Sequence, residues 1–112
     1  HLKTMICAGD PEEVEMISTL RPDIMICETE DLIGQKVSAS ATYMAETKRI
    51  ISKHSPHTKI IQAAGITDKK DILKAIVNGA DGVGLTSGII KAMNPFARLK
   101  ELMDCLTTVG LE

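Results

Sequence analysis

At 112 residues, with 44% apolar and 25% charged side chains, the chain has the size and make-up of one globular domain or a piece of one. A net charge of −2 with scattered Lys and Arg excludes a basic nucleic-acid footprint. No apolar run approaches the ~20 residues that span a bilayer, and no charged-then-apolar leader opens the chain, so neither a membrane partner nor secretion is expected. Three cysteines, Cys7, Cys27 and Cys105, lack C-x-x-C spacing, and an odd count makes a poor disulfide framework. A reducing, cytoplasmic setting fits them best. With one Tyr, one Phe and no Trp, Met and Ile must fill most of the core. His1 and Leu111-Glu112 are set aside from fold reasoning.

Short apolar runs alternate with helix-period segments along the chain. Residues 3–7 suit a strand. Asp10 has the character of an N-cap, with Pro11 at the first helical position and Glu13 three residues on. Val14, Ile17 and Leu20 then repeat every third residue on one face, and Pro22 closes the helix. Residues 23–27 form a second strand that stops on Glu28. A polar loop from Thr29 to Lys36 follows. Ser38 or Ser40 caps a long helix through about His54, with Met44, Ile50 and Ile51 inward. Residues 59–63 make a third strand. Thr67 caps a helix bearing Ile72, Leu73, Ile76 and Val77, which Gly79 stops in a left-handed C-terminal position. Residues 82–85 are a fourth, very short strand, and a brief helix follows Ser87. Asn94-Pro95 opens a final helix with Phe96, Leu99, Leu102, Met103 and Leu106 on one face.

This is a βα unit four times over, with no hairpin signal and no linker. Strands separated by helices imply right-handed crossovers and a parallel sheet, hence an α/β fold. Four units allow half of a closed eight-unit (β/α)8 barrel or an open, flavodoxin-like sheet. In both, active groups gather at the C-terminal ends of the strands. Glu28, the turn Ala63-Ala64-Gly65-Ile66 and the turn Leu85-Thr86-Ser87-Gly88 all fall at that end. A carboxylate beside two turns rich in free backbone N–H groups suits a phosphorylated carbonyl compound.

The segments CETEDLIG, AAGITDKKDILKAIVNGADGV and GLTSGIIKAMNP resemble the C-terminal half of the archaeal-type triosephosphate isomerases. The resemblance runs roughly from Lys3 to Leu106 and implies one half-barrel domain over 1–112. It implies an enzyme of glycolysis and gluconeogenesis that interconverts dihydroxyacetone phosphate and glyceraldehyde 3-phosphate without a cofactor or metal. Glu28 matches the family's proton-transfer base, and Ile33-Gly34 the end of its lid. Ala64, Gly65, Thr86, Ser87 and Gly88, with Gly34, match the backbone donors to the substrate phosphate. The chain departs from the family in three places. Thr29 stands where a proline usually follows the base, Gln35-Lys36 replace small residues, and Ala63 replaces a glycine. The family's strand-borne Lys and His, which polarise the carbonyl, have no counterpart here, so the chain alone is expected to be inactive. Its expected partner is a second copy, giving a homodimer, or a complementary N-terminal half-barrel.

Other features read as structural. Cys27 points away from Glu28 by strand alternation and reads as a small core residue. His54 and His57 flank Pro56 at a helix end and read as exposed residues favoured by the helix dipole. Gly82 and Gly84 do not make G-x-G-x-x-G and read as close helix–strand packing. Glu30-Asp31 reads as solvated lid surface. Two other classes fit part of the pattern. One is a non-catalytic half-barrel that only associates. The other is a receiver-like signalling domain, with Glu28 at the phosphoacceptor position. That class wants paired acids after the first strand, where Ala8-Gly9-Asp10 stands, and a Lys where Thr86 stands.

Overall fold

Four short apolar runs pair as strands in the computed structural model, which describes residues 1–109; Leu111 and Glu112 thus lie outside the described residues. The strands are β1 (Met5–Ala8), β2 (Ile24–Cys27), β3 (Lys59–Gln62) and β4 (Gly82–Val83). Each is shorter than the sequence predicts. At the start of β1 the Thr4 N–H donates to the Asp23 carboxylate, at 2.8 Å, instead of entering the ladder. After β4 the Gly84 N–H still reaches the Gln62 carbonyl at 2.9 Å, and the chain then turns away. All pairs are parallel, with Cys7 opposite Ile26, Ile26 opposite Ile61 and Ile61 opposite Gly82.

The strand order is β1-β2-β3-β4. With right-handed crossovers, consecutive order places every connecting helix on the same face of the sheet. The helices pack accordingly. α1 (Pro11–Ser18) lies against α2 (Ala41–His54), α2 against α3 (Lys69–Val77), and α3 and α4 (Ser87–Ile90) against α5 (Pro95–Thr108). This is the winding of a half-barrel. A flavodoxin-like sheet has the order 2-1-3-4-5 and helices on both faces, so that alternative does not hold, and the receiver architecture shares its order.

The helix starts follow from capping chemistry. Asp10 accepts from the Glu13 N–H at 2.8 Å, and Glu13 reaches back to the Gly9 N–H at 2.7 Å. Ser40, rather than Ser38, caps α2 through the Tyr43 N–H, and Asn94 caps α5 through the Ala97 N–H. Each such cap contributes about 1 kcal/mol. The cap of α3 is Asp68, not Thr67: Asp68 and Asp71 form a reciprocal capping box, which outcompetes a lone threonine. Gly79, at φ +97°, ends α3 as expected.

Alternation along the strands sends Ala8, Met25, Cys27 and Ile60 into the helix layer, where they meet Val14, Ile50 and Ile51. Further clusters form between α2 and α3 around Met44 and Ala75, and between α3 and α5 around Ile72 and Leu102. Three predicted stripes are narrower than expected. Leu20 is exposed because α1 ends at Ser18 and Leu20 lies in the turn beyond it. On α5, Leu102 and Cys105 are buried, whereas Phe96, Leu99 and Met103 stay in water. On α3, Ile72 and Ala75 are buried, but Leu73 and Val77 point outward.

The other face of the sheet carries Met5, Cys7, Ile24, Ile26 and Ile61, and no described helix covers it. Gly82 and Gly84 belong to that face. A Cβ at Gly82 would lie 2.9 Å from the Ile61 side chain, and one at Gly84 would lie 3.2 Å from the Ala63 methyl. Their small size therefore serves neighbouring side chains on the open face, not helix–strand packing.

Candidate active site

Glu28 stands one residue past the end of β2, its N–H bound to the Ala8 carbonyl at 2.9 Å. That bond extends the sheet by one residue and fixes where the side chain leaves it. The carboxylate is half-buried and lines a cavity of about 260 Å³. The same cavity is walled by Ile26, Ile33 and Gly34, by the whole turn 63–66, and by Gly84, Leu85, Thr86 and Ser87. Five of the six residues matched to phosphate binding thus meet Glu28 in one space. Gly88 lines the adjoining cavity instead.

The turn after β3 is strained. Ala64 and Gly65 are successive left-handed residues, at φ +70° and +68°. A left-handed alanine costs about 1–2 kcal/mol, and such strain clusters at functional sites. Residues 63–66 are all buried. Yet, among the described residues, the N–H groups of Ala64, Gly65 and Ile66 donate to no backbone carbonyl outside the regular elements, and neither do those of Gly34, Thr86, Ser87 and Gly88. Gly34 and Thr86 are exposed to water, but buried N–H groups without acceptors, as at residues 64–66, are rare unless a ligand or water completes them.

Glycine approaches hold the three turns together. A Cβ on Gly65 would overlap the Val37 carbonyl, so the end of the 29–37 loop lies directly on the turn. A Cβ on Gly88 would come within 2.9 Å of the Ile66 carbonyl. Asp71 adds a polar clamp that the sequence reading missed. Its carboxylate accepts from the Ser38 hydroxyl at 2.7 Å and from the Thr67 N–H at 3.0 Å, tying the loop end to the turn through the start of α3. The signal was present as Asp68-x-x-Asp71, a capping-box spacing. Burial works to raise the Asp71 carboxyl, but the hydrogen bonds from Thr67, Ser38 and Asp68 outweigh it and hold its pKa below the usual carboxylate value.

Because that pKa is depressed on folding, the stability it confers is present above the unfolded aspartate value of about 4 and is lost as pH falls through the lower, folded value. Asp71→Ala is expected to cost about 1–3 kcal/mol at neutral pH. The difference from wild type should vanish at the acid end of a urea-denaturation pH series. A pH-independent difference would show that the carboxylate is not the source.

Other candidate groups are structural. Cys27 is fully buried, and burial pushes its thiol up to about 12, so it is no nucleophile at neutral pH. His54 is half-buried and lies 3.2 Å from Glu15, linking α2 to α1. His57 is exposed and faces the Ser55 hydroxyl at 3.4 Å. Glu30 and Asp31 are exposed, on the single 3-10 turn Glu30–Leu32. Among the described residues no group of His, Cys, Asp and Glu is placed to hold a metal. No described helix is long and apolar enough to cross a membrane.

No family model matches the chain. Sequence relatives do. The triosephosphate isomerase of Caldivirga maquilingensis is 34% identical over 105 residues, which are 91% of this chain and 47% of that protein. That of Saccharolobus solfataricus is 35% identical over 96 residues, 84% of this chain and 42% of that protein. The chain is related to the archaeal triosephosphate isomerases. It spans about half the length of the curated relatives it matches, consistent with a C-terminal piece. Among solved structures, DHODH from Eimeria tenella, in complex with ferulenol, superposes with a TM-score of 0.67 at 18% identity, over 96% of this chain and 35% of that one. At that identity the likeness concerns the fold alone: that protein is a (β/α)8 barrel, and the four parallel βα units here are consistent with a half-barrel.

Two departures from the triosephosphate isomerase pattern are absorbed locally. Thr29 holds φ −69°, the angle a proline ring would impose, so the residue after Glu28 keeps that conformation without the ring. Ala63 fits because Gly84 beside it has no side chain.

Proposed function

We propose that this chain is the C-terminal half of a triosephosphate isomerase-like enzyme of the cytosol, with Glu28 as its proton-transfer base. The supporting observation is the single cavity that joins the Glu28 carboxylate to the N–H groups of Gly34, Ala64, Gly65, Thr86 and Ser87, which have no described acceptor outside the regular elements. A phosphate seated on those donors, and on Gly88, leaves the three-carbon body of the substrate pointing toward Glu28. The carboxylate takes a proton from one carbon of the triose phosphate and returns it to the neighbouring carbon through an enediolate. The Ile33-Gly34 end of the loop covers the phosphate, and Ile26 and Ile33 supply apolar wall that keeps water from the intermediate. The reading needs no metal or cofactor.

Among the described residues no Lys or His lines the Glu28 cavity. The enediolate therefore lacks a positive or hydrogen-bonding partner, which is usually the largest catalytic contribution. In this reading those groups come from a second four-unit half, another copy or a complementary N-terminal half, seated on the open face. Its apolar side chains, Met5, Ile24, Ile26 and Ile61, are those an interior would enclose. The two flanks of the helix layer agree. α1 and the turn after it expose Met16 and Leu20, and α5 exposes Phe96, Leu99 and Met103.

Titration of the purified chain with orthophosphate, followed by amide NMR, should shift Gly34, Gly65, Ser87 and Gly88. A coupled isomerase assay on the same sample should show no rate above buffer. Absence of those shifts would overturn the phosphate site, and robust turnover by this chain alone would overturn the dependence on a second half.

A further inference from the structure

Beside the Glu28 cavity lies a larger one, of about 550 Å³, which shares Gly34 and Ser87 with it. Its chemistry is different. Lys36 from the loop, Lys91 from the end of α4 and Arg98 from α5 all line it. Among the described residues none of these three cations lies within ion-pair distance of a carboxylate; the described pairs use Lys3, Arg49, His54, Lys59, Lys69 and Lys100. Among the described residues one acid lines the cavity, Asp68, and its carboxylate is engaged as the cap of α3. Among the described residues Arg98 is the one of the three cations with a side-chain hydrogen bond. It is half-buried, and Nη1 donates to the Thr67 carbonyl at 3.2 Å, which leaves most of its donors free. Three convergent cations against one occupied carboxylate make an electropositive pocket on the side of the Gly34–Ser87 wall away from Glu28.

We propose that this pocket is a second phosphoryl subsite, so that the site takes a diphosphate group in preference to a single phosphate. The inference rests on the phosphate seat proposed above. One phosphoryl group occupies the shared Gly34–Ser87 wall, and the adjoining one extends away from Glu28 toward Lys36, Lys91 and Arg98. Arginine matches phosphoryl oxygens in a fixed fork, and the lysines add mobile charge. A ligand bound this way fills the phosphate seat without presenting a carbon to Glu28. It therefore competes with triose phosphate and does not react.

Calorimetric titration of the full chain with orthophosphate and with inorganic pyrophosphate tests this. The comparison protein is Lys36→Gln/Lys91→Gln, whose substitutions lie on exposed side chains and whose fold is checked by circular dichroism. Wild type should bind pyrophosphate at least about tenfold tighter than orthophosphate, a difference of about 1.4 kcal/mol. The double variant should lose most of that preference while keeping its orthophosphate affinity within about threefold. A third titration, with ADP, distinguishes an esterified from a free diphosphate: binding as tight as pyrophosphate assigns the ester, and weaker binding assigns the free anion. A preference that survives in the variant, or no preference in wild type, overturns the subsite. Failure of orthophosphate to bind at all would instead overturn the phosphate seat itself.

Discussion

In a barrel completed by a complementary half, Glu28→Gln lowers kcat by about 10²–10⁴-fold, the range a positioned general base supplies. Glutamine keeps the shape of the side chain and its place beside the 63–66 turn, so the cavity survives. What it loses is the lone basic site that carries a proton between two carbons. Orthophosphate affinity should stay within error, because the seat is built from backbone N–H groups on other turns. The signature is thus a fall in kcat with little change in binding, the pattern of an interaction made only in the transition state. Steady-state kinetics of the completed enzyme, with a phosphate titration of the same variant, provide the check. Equal kcat in the variant and the parent would remove Glu28 from the reaction.

The second large effect concerns association. At micromolar concentration the chain should sediment well above the mass of one copy, because the open sheet face and both flanks of the helix layer are apolar. Met5 lies on the edge strand β1, is 58% exposed and points to the uncovered face; Phe96 on α5 is 85% exposed. A charge at either position costs the single chain little, since both side chains are in water. Buried in an interface without a partner, each charge costs about 3–5 kcal/mol. Met5→Glu/Phe96→Glu should therefore sediment as one copy and unfold cooperatively. Wild type that already behaves as a single, cooperatively unfolding copy would refute the association.

The sequence was most informative where physics is local. Asp10, Ser40 and Asn94 each sit before a helix with the right spacing, and all three cap one. The strand ends were legible because Glu28 and the glycine turns interrupt apolar runs, and those ends decide where the cavity lies. The strand order was not legible. Consecutive and doubly wound arrangements share the same βα grammar, and only tertiary packing of the helices on one face separates them. The outward positions on α5 were misjudged for a related reason: a periodic stripe says which residues align, not whether a neighbour exists to cover them. Asp71 escaped because its partners, Ser38 and Thr67, come from two loops whose meeting depends on Gly65 having no side chain. The pocket lined by Lys36, Lys91 and Arg98 gathers residues 64 positions apart at its extremes, Gly34 and Arg98, beyond any local pattern.

The consecutive strand order also bears on how the chain acquires its structure. Every strand pairs only with its neighbour in sequence, so no pairing waits on the closure of more than one crossover loop. The sheet can therefore form by zipping outward from the centre, one crossover at a time. The best-anchored segment is β2–β3, paired on both sides and backed by the Met25–Ile60 cluster. The least anchored is β4, two residues long and at an edge. Amide exchange should therefore be slowest near Met25 and Ile60 and fastest around Gly84 to Gly88. The wall of the phosphate seat beyond β4 is thus the part of the site with the lowest opening energy, while Glu28 leaves from one of its firmest strands.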